Sequence, residues 1–549
     1  MSTSSNFRSV SPTALRDALL GPAEIAVIDV REQGLFARKS LLWGISIPYF
    51  RLELEIARLV PRLDTPIVLV DADGQTLQAA AERLQRLAYT DIALLEGGVD
   101  GWEAAGLEVF QDENVPGKAF GEWIEEKAQT PHIDVRELRR RIASGEDVVI
   151  VDGRTPAEFK NFSLPGAFNV PNIELPYRIR ELAPKPDTLV VVNCAGRTRS
   201  IVGAQTLIDA GIPNPVVALE DGTMAWLLNG LQLEHGRVTE LPEPGAVHLT
   251  QARAAAADLL QRAGVSYVDD AGLARLSADT RRSLYLLDVR TEEEYVDGHL
   301  PGWWWVPGGQ LVQGPDKHIG TRGARVVLAD WDGVRAPAAA AWLAQFGVYD
   351  VHLYRTGTPA DLQLGPAPRL LRLDPAVGPT PWIAPASAHG RQRDGAVIID
   401  IDNSLQYRKQ HPEGAWFIAP HRLRELSASK FPGKSILLTS RDGVLAGRVA
   451  AAHRTGELDV RAIQGGTEAW KRAGLPLGNG DQQRLTGEDD TRYGAYVYAE
   501  EAVRHQRFRE YLAWEHGLTA QLKRSGGEAH YRQIERPAPV FEAAPAATR

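Results

Sequence analysis

Val190-Val191-Val192-Asn193-Cys194-Ala195-Gly196-Arg197-Thr198-Arg199-Ser200 joins an apolar, β-branched run to a short polar loop. A helical pattern follows, with Ile201, Ala204, Leu207 and Ile208 on one face. The stretch therefore reads as a strand, a tight loop and a helix N-terminus with a thiol at its mouth. Backbone N–H groups of such a loop converge on an anion, and the helix dipole favours one. The guanidinium groups of Arg197 and Arg199 add positive potential. A thiol held there is expected to ionise readily, and the thiolate is the nucleophile.

Cys194 is the single cysteine among 549 residues. Free cysteines are usually buried and inert, but flanking arginines and a glycine do not describe a core position. One cysteine excludes an intrachain disulfide, a Cys-x-x-Cys redox pair and a zinc–thiolate cluster. The 13 histidines show no metal-ligand spacing, so no cofactor is expected. Any covalent intermediate on Cys194 must be discharged by an external acceptor.

Composition sets the class. With 44% hydrophobic and 24% charged residues the chain is ordinary for globular protein, and its length suggests three or four domains. A net charge of −9 argues against general nucleic-acid binding. There is no signal-like apolar segment near Met1 and no run long enough to span a membrane, so a cytoplasmic location is expected.

The chain repeats four times. Ala26-Val27-Ile28-Asp29-Val30-Arg31 returns as Val149-Ile150-Val151-Asp152-Gly153-Arg154, then as Leu286-Leu287-Asp288-Val289-Arg290 and Val397-Ile398-Ile399-Asp400-Ile401-Asp402. A second strand and a glycine loop follow each aspartate, with 45, 44, 45 and 43 residues from aspartate to loop glycine. Aligning those glycines sets Ala72, Cys194, Trp331 and Arg441 at one position. Between strand and loop lie Leu42-Trp43-Gly44, Leu164-Pro165-Gly166, Leu300-Pro301-Gly302 and Pro412-Glu413-Gly414. A closing element, Gly97-Gly98…Trp102…Gly106, recurs at Asp221-Gly222…Trp226…Gly230 and Gly465-Gly466…Trp470…Gly474. The third repeat keeps only a remnant, His352 to Gly357, without the tryptophan. These tryptophans are read as packing, since they recur where the cysteine does not. Alternating strands and helices, such as 77–87 and 337–346, imply parallel sheets covered on both faces. The ligand site then lies beyond the carboxyl ends of the strands, where Cys194 falls.

Together, the aspartate–arginine strand, the Leu-Pro-Gly turn, the cysteine loop ending Arg-Ser and the Gly-Gly…Trp…Gly close resemble rhodanese (sulfurtransferase) domains. The resemblance covers residues 1–480 and is most specific in the second repeat. It implies an α/β fold of four tandem rhodanese-like domains, each a parallel sheet flanked by helices, plus a C-terminal helical tail. The expected domains are 1–115, 128–238 (active, with Cys194), 247–362 (degenerate) and 380–480, with 481–549 as the tail. It also implies that Cys194 carries a persulfide, taken from an anionic sulfur donor such as thiosulfate and passed to cyanide or a thiol. Arg197 and Arg199 are the candidates for binding the donor's oxyanion. The N–H groups of Ala195, Gly196, Arg197, Thr198, Arg199 and Ser200 are expected to cradle the sulfur. Ser200 is read chiefly as a helix cap, and Asp152 with Arg154 as support for the loop. The loop differs from the commonest rhodanese loops in placing glycine third and arginine fourth. Arg199 follows the cysteine after four intervening residues, a tighter ring than the Cys-x5-Arg loop of the related phosphatases.

Residues 110–130, 234–248 and 358–390 read as linkers. A helix is expected at 499–523, with Phe508, Tyr511, Leu512, Leu518 and Leu522 on one face. It is expected to dock onto its own domains, with homodimerisation the competing role. The residues from Pro537 are read as disordered. A persulfide carrier or regulatory scaffold serving a partner enzyme is the alternative to an enzyme acting on small molecules.

Overall fold

The computed structural model describes residues 7–72, 74–355, 361–453 and 459–536. Asp73 of the first loop, residues 356–357 at the end of the third repeat and the tail from Pro537 lie outside them. Each repeat builds a five-stranded sheet in which the strands lie side by side in the order first, fifth, fourth, second, third. In the second repeat the sheet runs His132–Ile133, Val216–Leu219, Leu189–Asn193, Val148–Asp152 and Phe168–Asn169, with every pairing parallel. Parallel strands need crossover helices on the faces, so the central strands are buried on both sides. Leu189–Asn193 accordingly has no exposed residue. The closing tryptophans pack as expected: Trp102, Trp226 and Trp470 are buried. Each indole N–H donates to a carbonyl six residues on, at Glu108, Gln232 and Pro476.

The chain divides into two compact units. One contains the first and fourth repeats, Ile25–Glu113 and Arg369–Gly494. There Glu53, buried in the first repeat, accepts from Arg448 at 2.7 and 2.8 Å and from the Asp374 amide at 2.6 Å. The other contains the second and third repeats and the tail, Asn114–Pro368 and Ala495–Arg549. There Arg335 of the third repeat bonds Glu174 of the second at 2.8 Å.

The linker reading of 110–130 is corrected. Val115–Ala128 is a helix, and its residues from Val115 to Ile124 are all buried. It carries no amphipathic stripe because it is enclosed all round rather than on one face. Gly121 marks a close approach: a β-carbon there would lie 2.8 Å from Thr198 Cγ2. Within the same enclosure Phe120 stacks on Phe346 at 4.1 Å between centroids and meets Trp342 and Tyr531 edge-on. The tail helix forms at Glu501–Ser525, and its Phe508, Leu512, Leu518 and Leu522 are buried. It docks on the second repeat, where Phe508 and Leu512 cluster with Met224.

Phe120→Ala removes a ring packed against Trp342, Phe346 and Tyr531. It is expected to destabilise the protein by about 3–5 kcal/mol in denaturant unfolding.

Candidate active site

The site begins at the end of Leu189–Asn193. Asp152 and Arg154, both fully buried, form an ion pair with Nε–Oδ1 at 2.9 Å and Nη2–Oδ2 at 2.8 Å. The Arg154 amide also donates to Asp152, at 3.0 Å, and its guanidinium reaches the Phe162 carbonyl at 2.6 Å. Asn193 Nδ2 donates to the other carboxylate oxygen at 3.0 Å, which ties the last strand residue before Cys194 to that pair. The expected supporting role of Asp152 and Arg154 is thus placed in bonds. From Cys194 the loop turns into the helix Thr198–Asp209.

Cys194 is 2% exposed. Ser200 Oγ donates to its sulfur at 3.1 Å, and the Ser200 amide also bonds it. Ser200 is therefore a ligand of the sulfur rather than the helix cap, which falls at Arg197. Burial pushes the thiol up from its ordinary value, against Arg199 and the Ser200 bonds, which act in the opposite direction. The readily ionised thiol expected from the sequence is corrected by this enclosure. Within it, the thiolate is favoured by one guanidinium and by Ser200.

The two loop arginines part company. Arg199 makes a bidentate pair with Glu158 at 2.7 and 2.8 Å and is the cation whose charge acts on Cys194. Burial opposes ionisation of Glu158, yet Arg199 and the Thr155 hydrogen bonds hold it down at about 2. Arg197 instead is consumed by carboxylates: Glu122 at 2.9 and 3.0 Å, Glu125, and Asp221 at 3.2 Å. Its expected part in binding a donor anion is replaced by this cluster, whose negative groups outnumber it. Glu122 is pushed up to about 8 by burial.

The tail covers the loop. Tyr496 donates to the Ala195 carbonyl at 3.2 Å and stacks on Phe162. Thr198 Oγ1 and the Tyr511 hydroxyl donate to Glu515 Oε1 at 3.2 and 2.9 Å. Of these neighbours only Glu158 was signalled in sequence, by the capping box Thr155-x-x-Glu158, repeated at Thr291-x-x-Glu294. Glu122, Tyr496 and Glu515 carry no motif, because they reach the loop from elements distant in sequence.

Strand register corrects the alignment of the four loops. Asp152 pairs with Asn193, Asp29 with Val70, Asp288 with Ala329 and Asp400 with Thr439. The residue after each partner is therefore the counterpart of Cys194: Asp71, Asp330 and Ser440, not Ala72, Trp331 and Arg441. Carbonyl contacts agree, since Thr223, Val99 and Thr467 donate to Cys194, Asp71 and Ser440 in turn. In the third repeat the loop amides of Gly333, Val334 and Ala336 donate to the Asp330 carboxylate at 3.0, 3.2 and 2.7 Å. Burial raises that carboxyl to about 8. The third loop thus holds a carboxyl of its own where the second has its sulfur. No cluster of three or more His, Cys, Asp or Glu able to hold a metal ion occurs among the described residues.

The family model of the Rhodanese-like domain matches residues 11–105, 134–229, 271–361 and 384–473. The chain is 38% identical over 101 residues to a sulfurtransferase of Allochromatium vinosum, covering 18% of this chain and 92% of that protein. It is 26% identical over 96 residues to the thiosulfate sulfurtransferase GlpE of Haemophilus influenzae, covering 17% of this chain and 91% of that one. A crystal structure of a thiosulfate sulfurtransferase from Pseudomonas aeruginosa superposes with a TM-score of 0.91 at 40% identity. That match spans 96% of this chain and 100% of the other.

Two substitutions test the sulfur's surroundings. Ser200→Ala and Arg199→Gln each remove a group that favours the thiolate. Both are expected to move the pH midpoint of Cys194 alkylation by iodoacetamide upward, Arg199→Gln by about one unit or more. Arg197→Gln is expected to leave that midpoint much less changed.

Proposed function

The chain belongs to the rhodanese family, and from that membership we propose that its second repeat moves a sulfane sulfur through a persulfide on Cys194. The reading as a rhodanese-type sulfurtransferase is supported by the matches along all four repeats. The observation that carries the finer claim is the sulfur just beyond the strand end, bonded by the Ser200 hydroxyl and amide and acted on by the Arg199 charge.

The chemistry follows from those groups. The Cys194 thiolate attacks the outer sulfur of an anionic donor such as thiosulfate. A Cys194–sulfur bond forms, the donor's sulfur–sulfur bond breaks, and its electron pair leaves with sulfite. The persulfide anion inherits the Ser200 and Arg199 contacts, which hold negative charge in an enclosed site more strongly than in water. A thiol or cyanide then takes the terminal sulfur and returns the thiolate. Enclosure of Cys194 favours small donors and acceptors over the carrier reading, in which a partner protein must reach the sulfur. The other repeats lack a nucleophilic sulfur at the equivalent place and serve as scaffold. A reducing compartment, the cytoplasm, suits a lone unpaired thiol.

Incubation with thiosulfate is expected to add the mass of one sulfur atom to the intact protein, and cyanide to remove it. Cys194→Ser should abolish both the adduct and thiocyanate formation, whereas Asp330→Asn and Ser440→Ala leave the rate within about twofold of the parent. Turnover that persists in Cys194→Ser would refute the mechanism, and turnover that requires an added protein would favour the carrier.

A further inference from the structure

Glu515 is a charged-type side chain in a place where the sulfur chemistry makes no evident use of it. It lies on the tail helix, 1% exposed, against the loop that bears Cys194. Its Oε1 accepts from Thr198 and Tyr511, while Oε2 has no hydrogen-bond partner among the described residues. That bare oxygen faces the loop itself: a β-carbon at Gly196 would sit 3.0 Å from it and 3.2 Å from the Tyr511 ring. A β-carbon at Gly196 would press on the Glu515 carboxyl and the Tyr511 ring. The unusual glycine position in this loop is therefore the one that lets a carboxyl rest on it.

We propose that Glu515 is a specificity residue that sets the charge of the molecules admitted to Cys194. Neutral, it offers an O–H to an oxygen of an anionic sulfur donor; ionised, it repels such a donor. The inference deepens the sulfurtransferase reading and rests on it for the identity of the donor.

The surroundings support a carboxyl that changes state. Burial raises Glu515 above the ordinary carboxylate range, opposed by Lys118, Tyr511, Arg197 and Thr198. Glu122, on the helix packed across from it, shares the enclosure and disfavours a second negative charge. His516, next in the tail helix, turns instead to Asp221 at 3.4 Å. The Glu515 charge also reaches the sulfur, where it works against the thiolate. Carboxyls kept neutral by burial are effective hydrogen-bond donors to anions.

The test compares two alkylating agents of similar size, anionic iodoacetate and neutral iodoacetamide, on the full-length protein across pH. Both need the thiolate, so the ratio of their rates cancels Cys194 ionisation and leaves the charge of the site. In the parent protein the iodoacetate-to-iodoacetamide ratio is expected to fall on the order of tenfold as Glu515 ionises. In Glu515→Gln, which keeps the shape and a donor, the ratio should stay flat. In Tyr511→Phe, which removes a bond to the ionised form, the fall should move to higher pH. A flat ratio in the parent, or the same fall in Glu515→Gln, would overturn the proposal. A parallel thiosulfate arm separates the two readings. If neither protein gains sulfur, sulfurtransferase action fails, while the alkylation ratio still decides whether Glu515 sets the charge of the entrance.

Discussion

The paired aspartate and arginine at the end of the second strand are the constraint from which the site is built. Asp152 cannot be buried ionised without a partner, and Arg154 two residues on supplies one with near-ideal bidentate geometry. The same carboxylate then holds Asn193, so the strand that leads into Cys194 is fixed to its neighbour by side chains as well as by the sheet. The arrangement recurs at Asp29–Arg31 and Asp288–Arg290, each with the arginine also reaching a carbonyl eight residues on. The fourth repeat shows what its loss does. Asp402 replaces the arginine, and burial pushes Asp400 up to about 8.

Charge at Cys194 is set less by how many cations the loop carries than by where folding points each of them. Arg197 and Arg199 are two residues apart, yet it is Arg199, itself paired with Glu158, whose charge favours the thiolate. Arg197 points into Glu122, Glu125 and Asp221, and with them pins the loop to the buried helix Val115–Ala128 and to the turn before Gly222. Its removal would leave buried carboxylates uncompensated, which is a structural loss before it is a chemical one. The enclosure that this packing produces raises the thiol but also excludes water, so the remaining favourable contacts count for more.

The third repeat keeps the loop geometry with a carboxyl in place of the sulfur. There Arg335 pairs with Glu294 as Arg199 does with Glu158, and the loop amides close on Asp330. A loop whose amides converge needs an acceptor at its centre. An acidic side chain supplies it from within the chain. Arg335 also bonds Glu174 and joins the third repeat to the second.

Sequence alone determined the four repeats, the parallel sheets, the strand–loop–helix around Cys194 and the Asp152–Arg154 support. All of these are local patterns, written within a few residues or repeated at a constant interval. It misjudged residues 110–130, because a helix enclosed on every side has no polar face to mark its period. It also misaligned the loops, since Gly196 lies one place nearer the nucleophile than Gly74, Gly333 and Gly443 do, and only the pairing of strands reveals the shift. The burial of the thiol, the neutralisation of Arg197 and the seat of Glu515 on the loop were decided by tertiary structure. Each depends on side chains separated by tens to hundreds of residues, and the charge of a group is fixed by the neighbours that folding brings to it.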